Sequence, residues 1–91
     1  MKDERYYVYI VRCRDDTLYT GTTNEIGRRV CAHNEGKGAK YTKGRLPVRL
    51  VYSETLETKP AALRREFQIK KMSRARKSKL IGQADRRKAL T

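Results

Sequence analysis

Between Arg5 and Cys13 the chain alternates two sets of residues, and both sets are largely apolar. In an extended segment Tyr7, Tyr9, Val11 and Cys13 share one face, and Tyr6, Val8, Ile10 and Arg12 share the other. A strand apolar on both faces is expected at the centre of a sheet, covered above and below. Arg14-Asp15-Asp16 then reads as a turn, and Thr17 to Gly21 as a second, antiparallel strand. Asn24 suits a helix N-cap, with Glu25 in the first turn at the positive end of the dipole. That helix is expected to reach about Asn34 and to stop at Gly36, with Ile26 and Val30 as its apolar stripe. Arg29 and His33, four residues apart, share a neighbouring face of it.

The pattern is lost from Glu35 to Pro47, which holds Gly36, Gly38 and Gly44 and reads as a long basic loop. Loops of this length are uncommon in compact domains and are often functional. Val48 to Glu54 predicts a third strand, with Val48, Leu50 and Tyr52 alternating against Arg49, Val51 and Ser53, and Pro47 at its entrance. Thr58-Lys59-Pro60 opens a second helix, with Leu63 and Phe67 as its buried stripe and Ile69 extending it. Ser73 is expected to cap a third helix running to about Ile81. The order is β-β-α-β-α-α. The expectation is an α+β domain over residues 5–82, a small three-stranded antiparallel sheet flanked by three helices. Residues 83–91 form a polar, basic tail, expected to be frayed.

Composition narrows the classes of function. A chain of 91 residues has room for one domain. Its longest apolar run, Tyr6 to Val11, falls far short of a membrane span of about 20 residues, and no secretory leader is apparent, so a cytoplasmic protein is expected. Cys13 and Cys31 are the only cysteines and are expected to be reduced, buried thiols. With His33 they fall one ligand short of a zinc site, and Cys31-x-His33 is not a usual ligand spacing, so none is expected. Charge changes the picture most: 23 Lys and Arg against 10 Asp and Glu leave a net +13. Lys37, Lys40, Lys43, Arg45 and Arg49 form one basic segment without an acid, and Arg64 to Lys88 form another. Such a field draws polyanions, and nucleic acid is the polyanion expected, since neutralising phosphates releases counterions.

Tyr7-Val8-Tyr9, with Tyr19-Thr20-Gly21 ten residues on, resembles the paired tripeptides that name the GIY-YIG endonuclease superfamily. Arg29 lies eight residues past Gly21, with His33 after it, and Glu66 stands in Ala62-Leu63-Arg64-Arg65-Glu66, also as in that family. The likeness runs from about Tyr6 to Ile81 and is nearest to the small stand-alone bacterial proteins of the superfamily; Tyr7, Val8 and Thr20 depart from the tripeptides. The resemblance implies a metal-assisted phosphodiester hydrolase acting on nucleic acid, with DNA favoured over RNA. It implies that Tyr19 deprotonates water beside Tyr9, that Arg29 holds the scissile phosphate, and that His33 supports the phosphate or shuttles a proton. It implies that Glu66 binds one Mg²⁺ or Mn²⁺.

The residue types suit that chemistry. A phenol ionises near pH 10, and nearby cations favour the phenolate. A planar guanidinium matches a phosphate. A single carboxylate suits a hard cation that keeps several waters. Lys40, Tyr41, Lys43 and Arg45 in the long loop, with Arg65 and Lys70, are candidate nucleic-acid contacts; Tyr41 is suited either to stack on a base or to anchor its loop. Glu66 and Lys70 also have the spacing of an ordinary i,i+4 ion pair. Besides the endonuclease, a non-catalytic nucleic-acid-binding module of the same fold and a basic accessory protein fit the pattern. The resemblance also sets a geometric condition: the two tyrosines must share a sheet face. A two-residue loop at Asp15-Asp16 would put them on opposite faces. A three-residue loop, Arg14-Asp15-Asp16, pairs Cys13 with Thr17 and Tyr9 with Gly21 and puts them on one face; an odd loop is therefore expected.

Overall fold

The computed structural model describes residues 5–90, with side chains as far as Asp85. Strand β1 (Tyr6–Arg12) lies between β2 (Leu18–Thr23) and β3 (Arg49–Leu56) in an antiparallel sheet ordered β2-β1-β3. Val8, Tyr9, Ile10 and Val11 are all buried, as a strand apolar on both faces requires. The hairpin between β1 and β2 has the odd loop. Cys13 N–H donates to Thr17 C=O at 2.8 Å, Tyr9 stands opposite Gly21, and Asp16 takes the left-handed conformation (φ 69°) that such loops use. Asp15 Oδ1 accepts from both the amide and the hydroxyl of Thr17 and fixes the turn.

Helices cover both faces. Val8 and Ile10 pack with Ala62 and Ile69 of α3 (Lys59–Lys70) and Ile81 of α4 (Arg74–Leu90). Tyr9, Val11 and Cys13 pack with Val48, and with Tyr19, Leu46 and Val30 of α1 (Ile26–Asn34). Thr58 caps α3 by accepting from Ala61 N–H at 3.2 Å, and Ser73 Oγ accepts from Arg76 N–H at the start of α4. Gly36, at φ 77°, ends α1: its amide bonds His33 C=O, and that of Lys37 reaches back to Ala32 C=O. Among the described residues no helix is long and apolar enough to cross a membrane.

Six local expectations are corrected. Helix α1 starts at Ile26 with Glu25, not Asn24, at its N-cap; no side chain caps it, and the Glu25 amide donates to Thr23 Oγ1 at 3.1 Å. The segment 35–47 contains a fourth helix, α2 (Lys40–Lys43), and is tied down. Asn34 bonds both the amide and the carbonyl of Val48, and Arg45 C=O accepts from Arg14 N–H. Strand β3 carries a bulge opposite Ile10/Val11, so Val51 and Tyr52 both join the core under α3 and α4, and Leu50 turns outward. Leu63 and Phe67 are not the buried stripe of α3; they are 48% and 61% exposed. The face that packs is Ala62 and Ile69, seven residues apart, with Arg65 and Glu66 half-buried between them. Finally, α4 runs past its expected end near Ile81, through Gly82 to Leu90, since one glycine costs a helix only about 1 kcal/mol. Cys13 is buried as expected, but Cys31 is exposed.

Candidate active site

The odd hairpin loop puts Tyr9 and Tyr19 on the α1 face of the sheet. One turn apart on α1, Arg29 and His33 face them. Tyr9 is the hub of a buried hydrogen-bond chain. Arg29 Nε–H donates to Tyr9 Oη at 3.3 Å, and Tyr9 Oη lies 2.9 Å from His33 Nε2. His33 Nδ1 lies 2.8 Å from Thr42 Oγ1, and the Thr42 hydroxyl donates onward to Ala39 C=O at 2.9 Å. With the one Thr42 proton assigned to that last bond, Nδ1–H is assigned as the donor to Thr42. Nε2 is then the acceptor, and the Tyr9 hydroxyl donates to it.

Two glycines make room for this chain. A Cβ on Gly21 would stand 2.5 Å from Tyr9 Oη, and one on Gly38 would stand 2.3 Å from His33 Nδ1. Neither glycine has a positive φ, so it is close approach that excludes a side chain. Burial raises the Tyr9 phenol above its ordinary pKa of 10.0, against the opposing pull of the Arg29 cation. Tyr9 therefore stays protonated at neutral pH and serves as a fixed donor and acceptor.

Burial, and then the Arg29 cation, lower the His33 pKa below its ordinary 6.5. Since the unfolded chain takes up this proton near pH 6.5 and the fold resists it, the contribution to stability is complete above that pH. It is lost as pH falls through the lower folded value. Unfolding midpoints measured from pH 8 to 5 are expected to decline below about pH 6.5. His33 is the only histidine, so His33→Gln should flatten that decline, whatever it does to the midpoint itself. An unchanged slope in the variant would assign the effect to other groups.

Glu66 comes from the opposite side of the sheet. Thr22 stands opposite Val8, on the α3 face, and its hydroxyl donates to Glu66 Oε1 at 2.6 Å. The carboxylate therefore meets the tyrosines around the free edge of β2. Tyr9, Tyr19, Arg29 and Glu66 line a single open hollow of about 560 Å³, with Gly21 in its wall and Lys59 at its rim. Burial raises the Glu66 carboxyl, but Lys70 and Thr22 outweigh it and hold its pKa below the ordinary 4.5, so it is ionised at neutral pH. Lys70 Nζ lies 2.8 Å from Glu66 Oε2, the i,i+4 pair that the spacing allowed.

The remaining candidates divide. His33 is fully buried behind Tyr9 and does not line the hollow. Tyr41 stacks on Tyr19 (ring centres 5.9 Å apart, 24° between planes), and the Arg45 guanidinium lies 4.3 Å from its ring centre. Arg45 is itself paired with Asp15 at 3.0 Å, so Tyr41 anchors its segment and keeps 42% of its surface exposed. Lys40 and Lys43 are exposed on α2. Arg65 is engaged elsewhere: its Nε–H donates to Glu54 at 2.6 Å, and Glu54 also accepts from the Tyr52 hydroxyl, whose pKa is raised to about 12 by burial and by that carboxylate. Sequence reasoning missed Thr22, Thr42 and Gly38. Thr22 had a signal, since it follows the motif glycine directly; Thr42 and Gly38 lie in a segment without periodicity.

A tyrosine hairpin, an arginine helix on one face and a glutamate helix reaching around the edge strand define a nuclease-like domain. Residues 5–79 match the GIY-YIG catalytic domain, and the chain belongs to the GIY-YIG family. It is 52% identical over 80 residues to the UPF0213 protein SSP2268 of Staphylococcus saprophyticus, covering 88% of this chain and 98% of that one. Among solved structures it resembles the UPF0213 protein BH0048 from Bacillus halodurans, at 45% identity and a TM-score of 0.56 over 86% of this chain and 83% of that one. It also resembles the protein EF2693 from E. faecalis, at 34% identity and a TM-score of 0.61 over 93% and 92%.

Proposed function

We propose that this protein is a divalent-metal-dependent endonuclease that hydrolyses phosphodiester bonds in nucleic acid, with structured DNA of the kind met in repair and recombination as its favoured substrate, working in the cytoplasm. The observation that carries the reading is the convergence of Tyr9, Tyr19, Arg29 and Glu66 on one hollow. The net charge of +13 supports a polyanionic substrate.

Glu66 fits a cation such as Mg²⁺ or Mn²⁺. Its carboxylate is ionised, held by Thr22 and open to the hollow. Among the described residues no three His, Cys, Asp or Glu gather around one point, so the chain would supply one ligand and leave the rest to water and phosphate, as Mg²⁺ commonly accepts. When bound, the cation supplies Lewis-acid stabilisation of the departing 3′ oxygen. In this reading Arg29 grips the scissile phosphate and neutralises its developing charge, and Tyr19 takes the proton of the attacking water. Tyr9, tied to His33, keeps the Arg29 guanidinium aimed into the hollow. His33 acts through Tyr9 and touches no phosphate.

The test is a panel of labelled nicked, branched and single-stranded DNAs, with RNA counterparts, incubated with Mg²⁺ or Mn²⁺. Wild type should cut at least one DNA, and chelation or Glu66→Ala should abolish cutting. Equal cutting by wild type and Glu66→Ala would mark a contaminant and end the reading. A second reading, a non-catalytic module that binds nucleic acid, draws on the Lys70 ammonium already resting on Glu66. It requires salt-sensitive binding that Glu66→Ala leaves intact, with no cutting at all.

A further inference from the structure

Every oxygen of the Glu66 carboxylate already has a partner. Oε1 accepts the Thr22 hydroxyl at 2.6 Å, and Oε2 carries the Lys70 ammonium at 2.8 Å. The two partners differ in kind. Thr22 is on a sheet strand, and its bond holds the carboxylate in place. Lys70 is the outer member of its pair: its side chain is 49% exposed, against 17% for Glu66. A lysine head sits on a flexible four-carbon stem and exchanges partners readily. The pair therefore opens by departure of the ammonium, leaving the carboxylate fixed. The same ammonium lies 6.0 Å from the centre of the Tyr19 ring, so it neighbours both the carboxylate and that tyrosine.

We propose that Lys70 is the resident counter-ion of Glu66, and that a divalent cation reaches this carboxylate only by exchange with the Lys70 ammonium. Lys70 thereby sets the cation affinity of the site and keeps it charge-balanced when no cation is present. The inference rests on the reading of Glu66 as the cation ligand. Its mechanism is competition for one oxygen, so side chains that hold Oε2 less or more firmly must shift cation affinity in opposite directions. Met keeps the length and the aliphatic stem of Lys and removes the charge. Arg keeps the charge and holds a carboxylate with a planar, two-pronged donor.

Mn²⁺ binding to the whole protein, without nucleic acid, is measured by the electron paramagnetic resonance signal of the free ion. Thermal midpoints check that each variant is folded. Lys71→Met is the control: it removes one charge from the next residue, the C-cap of the same helix, but its ammonium lies 4.3 Å from the Phe67 ring and is not on Glu66. Lys70→Met is expected to tighten Mn²⁺ binding by about tenfold, Lys71→Met by less than about twofold, and Lys70→Arg to weaken it. Equal effects of Lys70→Met and Lys71→Met, in a protein whose binding is lost in Glu66→Gln, would overturn the exchange while leaving Glu66 as the ligand. Binding that Glu66→Gln leaves unchanged would overturn both, because the cation would then sit elsewhere.

Discussion

Arg29→Ala is expected to lower the single-turnover cleavage rate by about three orders of magnitude, whereas Arg28→Ala, one position away, changes it by less than about tenfold. The contrast follows from the helix. Arg29 lines the hollow and donates to Tyr9 Oη at 3.3 Å, while Arg28 is exposed and lies outside that hollow. Losing Arg29 removes the permanent cation from the proposed phosphate position and also takes a donor from a buried phenol. Arg29→Lys keeps the charge but not the Nε–H geometry and should recover only part of the rate. Rates on the best-cut labelled DNA, with enzyme in excess, provide the measurement. Equal losses in Arg28→Ala and Arg29→Ala would reduce both residues to general attraction for a polyanion, and the phosphate role of Arg29 would be gone.

Gly21→Ala is expected to destabilise the domain by about 3 kcal/mol, combining an overpacked core with a strained buried hydrogen bond. The new methyl would stand 2.5 Å from Tyr9 Oη, 2.7 Å from its Cζ and 3.0 Å from its Cε1. The ring has nowhere to retreat, since it is 1% exposed and held by Arg29 and His33. In a domain this small each kcal/mol moves the thermal midpoint by about 4–8 °C, so a fall well above 10 °C is expected. Cleavage should fall further than the loss of folded protein explains, because Tyr9 steers Arg29. Gly27→Ala is the matched control: its Cβ meets nothing within 4 Å on an exposed part of α1, and it should stabilise by about 0.5–1 kcal/mol. A Gly21→Ala midpoint within a degree or two of wild type would mean that the close approach to Tyr9 is not real.

Much of this arrangement was legible in the residues. The shared face of Tyr9 and Tyr19 was a condition set by the resemblance; counting positions then required an odd loop, because a strand has only two faces, and the hairpin has one. Arg29 was legible from its spacing after Gly21. Glu66 was legible from its place in Ala62-Leu63-Arg64-Arg65-Glu66, but the helix face that positions it was not: Leu63 and Phe67, expected as the buried stripe, face outward, and Ala62 and Ile69 pack instead. Two half-buried polar residues hid that face from a reading by hydrophobicity. The segment 35–47 was illegible for a different reason. Its order comes from single tertiary bonds, Thr42 to His33, Arg45 to Asp15 and Val48 to Asn34, and none of these leaves a periodic trace in the sequence.

Because the path from the buried phenol runs through Thr42 to Ala39 C=O, Tyr9 depends on a stretch of chain that does not line the hollow. If α2 lifts even briefly, the Nδ1 proton loses its acceptor, and the imidazole is free to swap tautomers or turn over. Nε2 would then present a hydrogen to Tyr9 where it now presents a lone pair, and the phenol's orientation would be undone from behind. Amide exchange at Thr42 thus reports how often Tyr9 loses its alignment, even with no substrate in the tube.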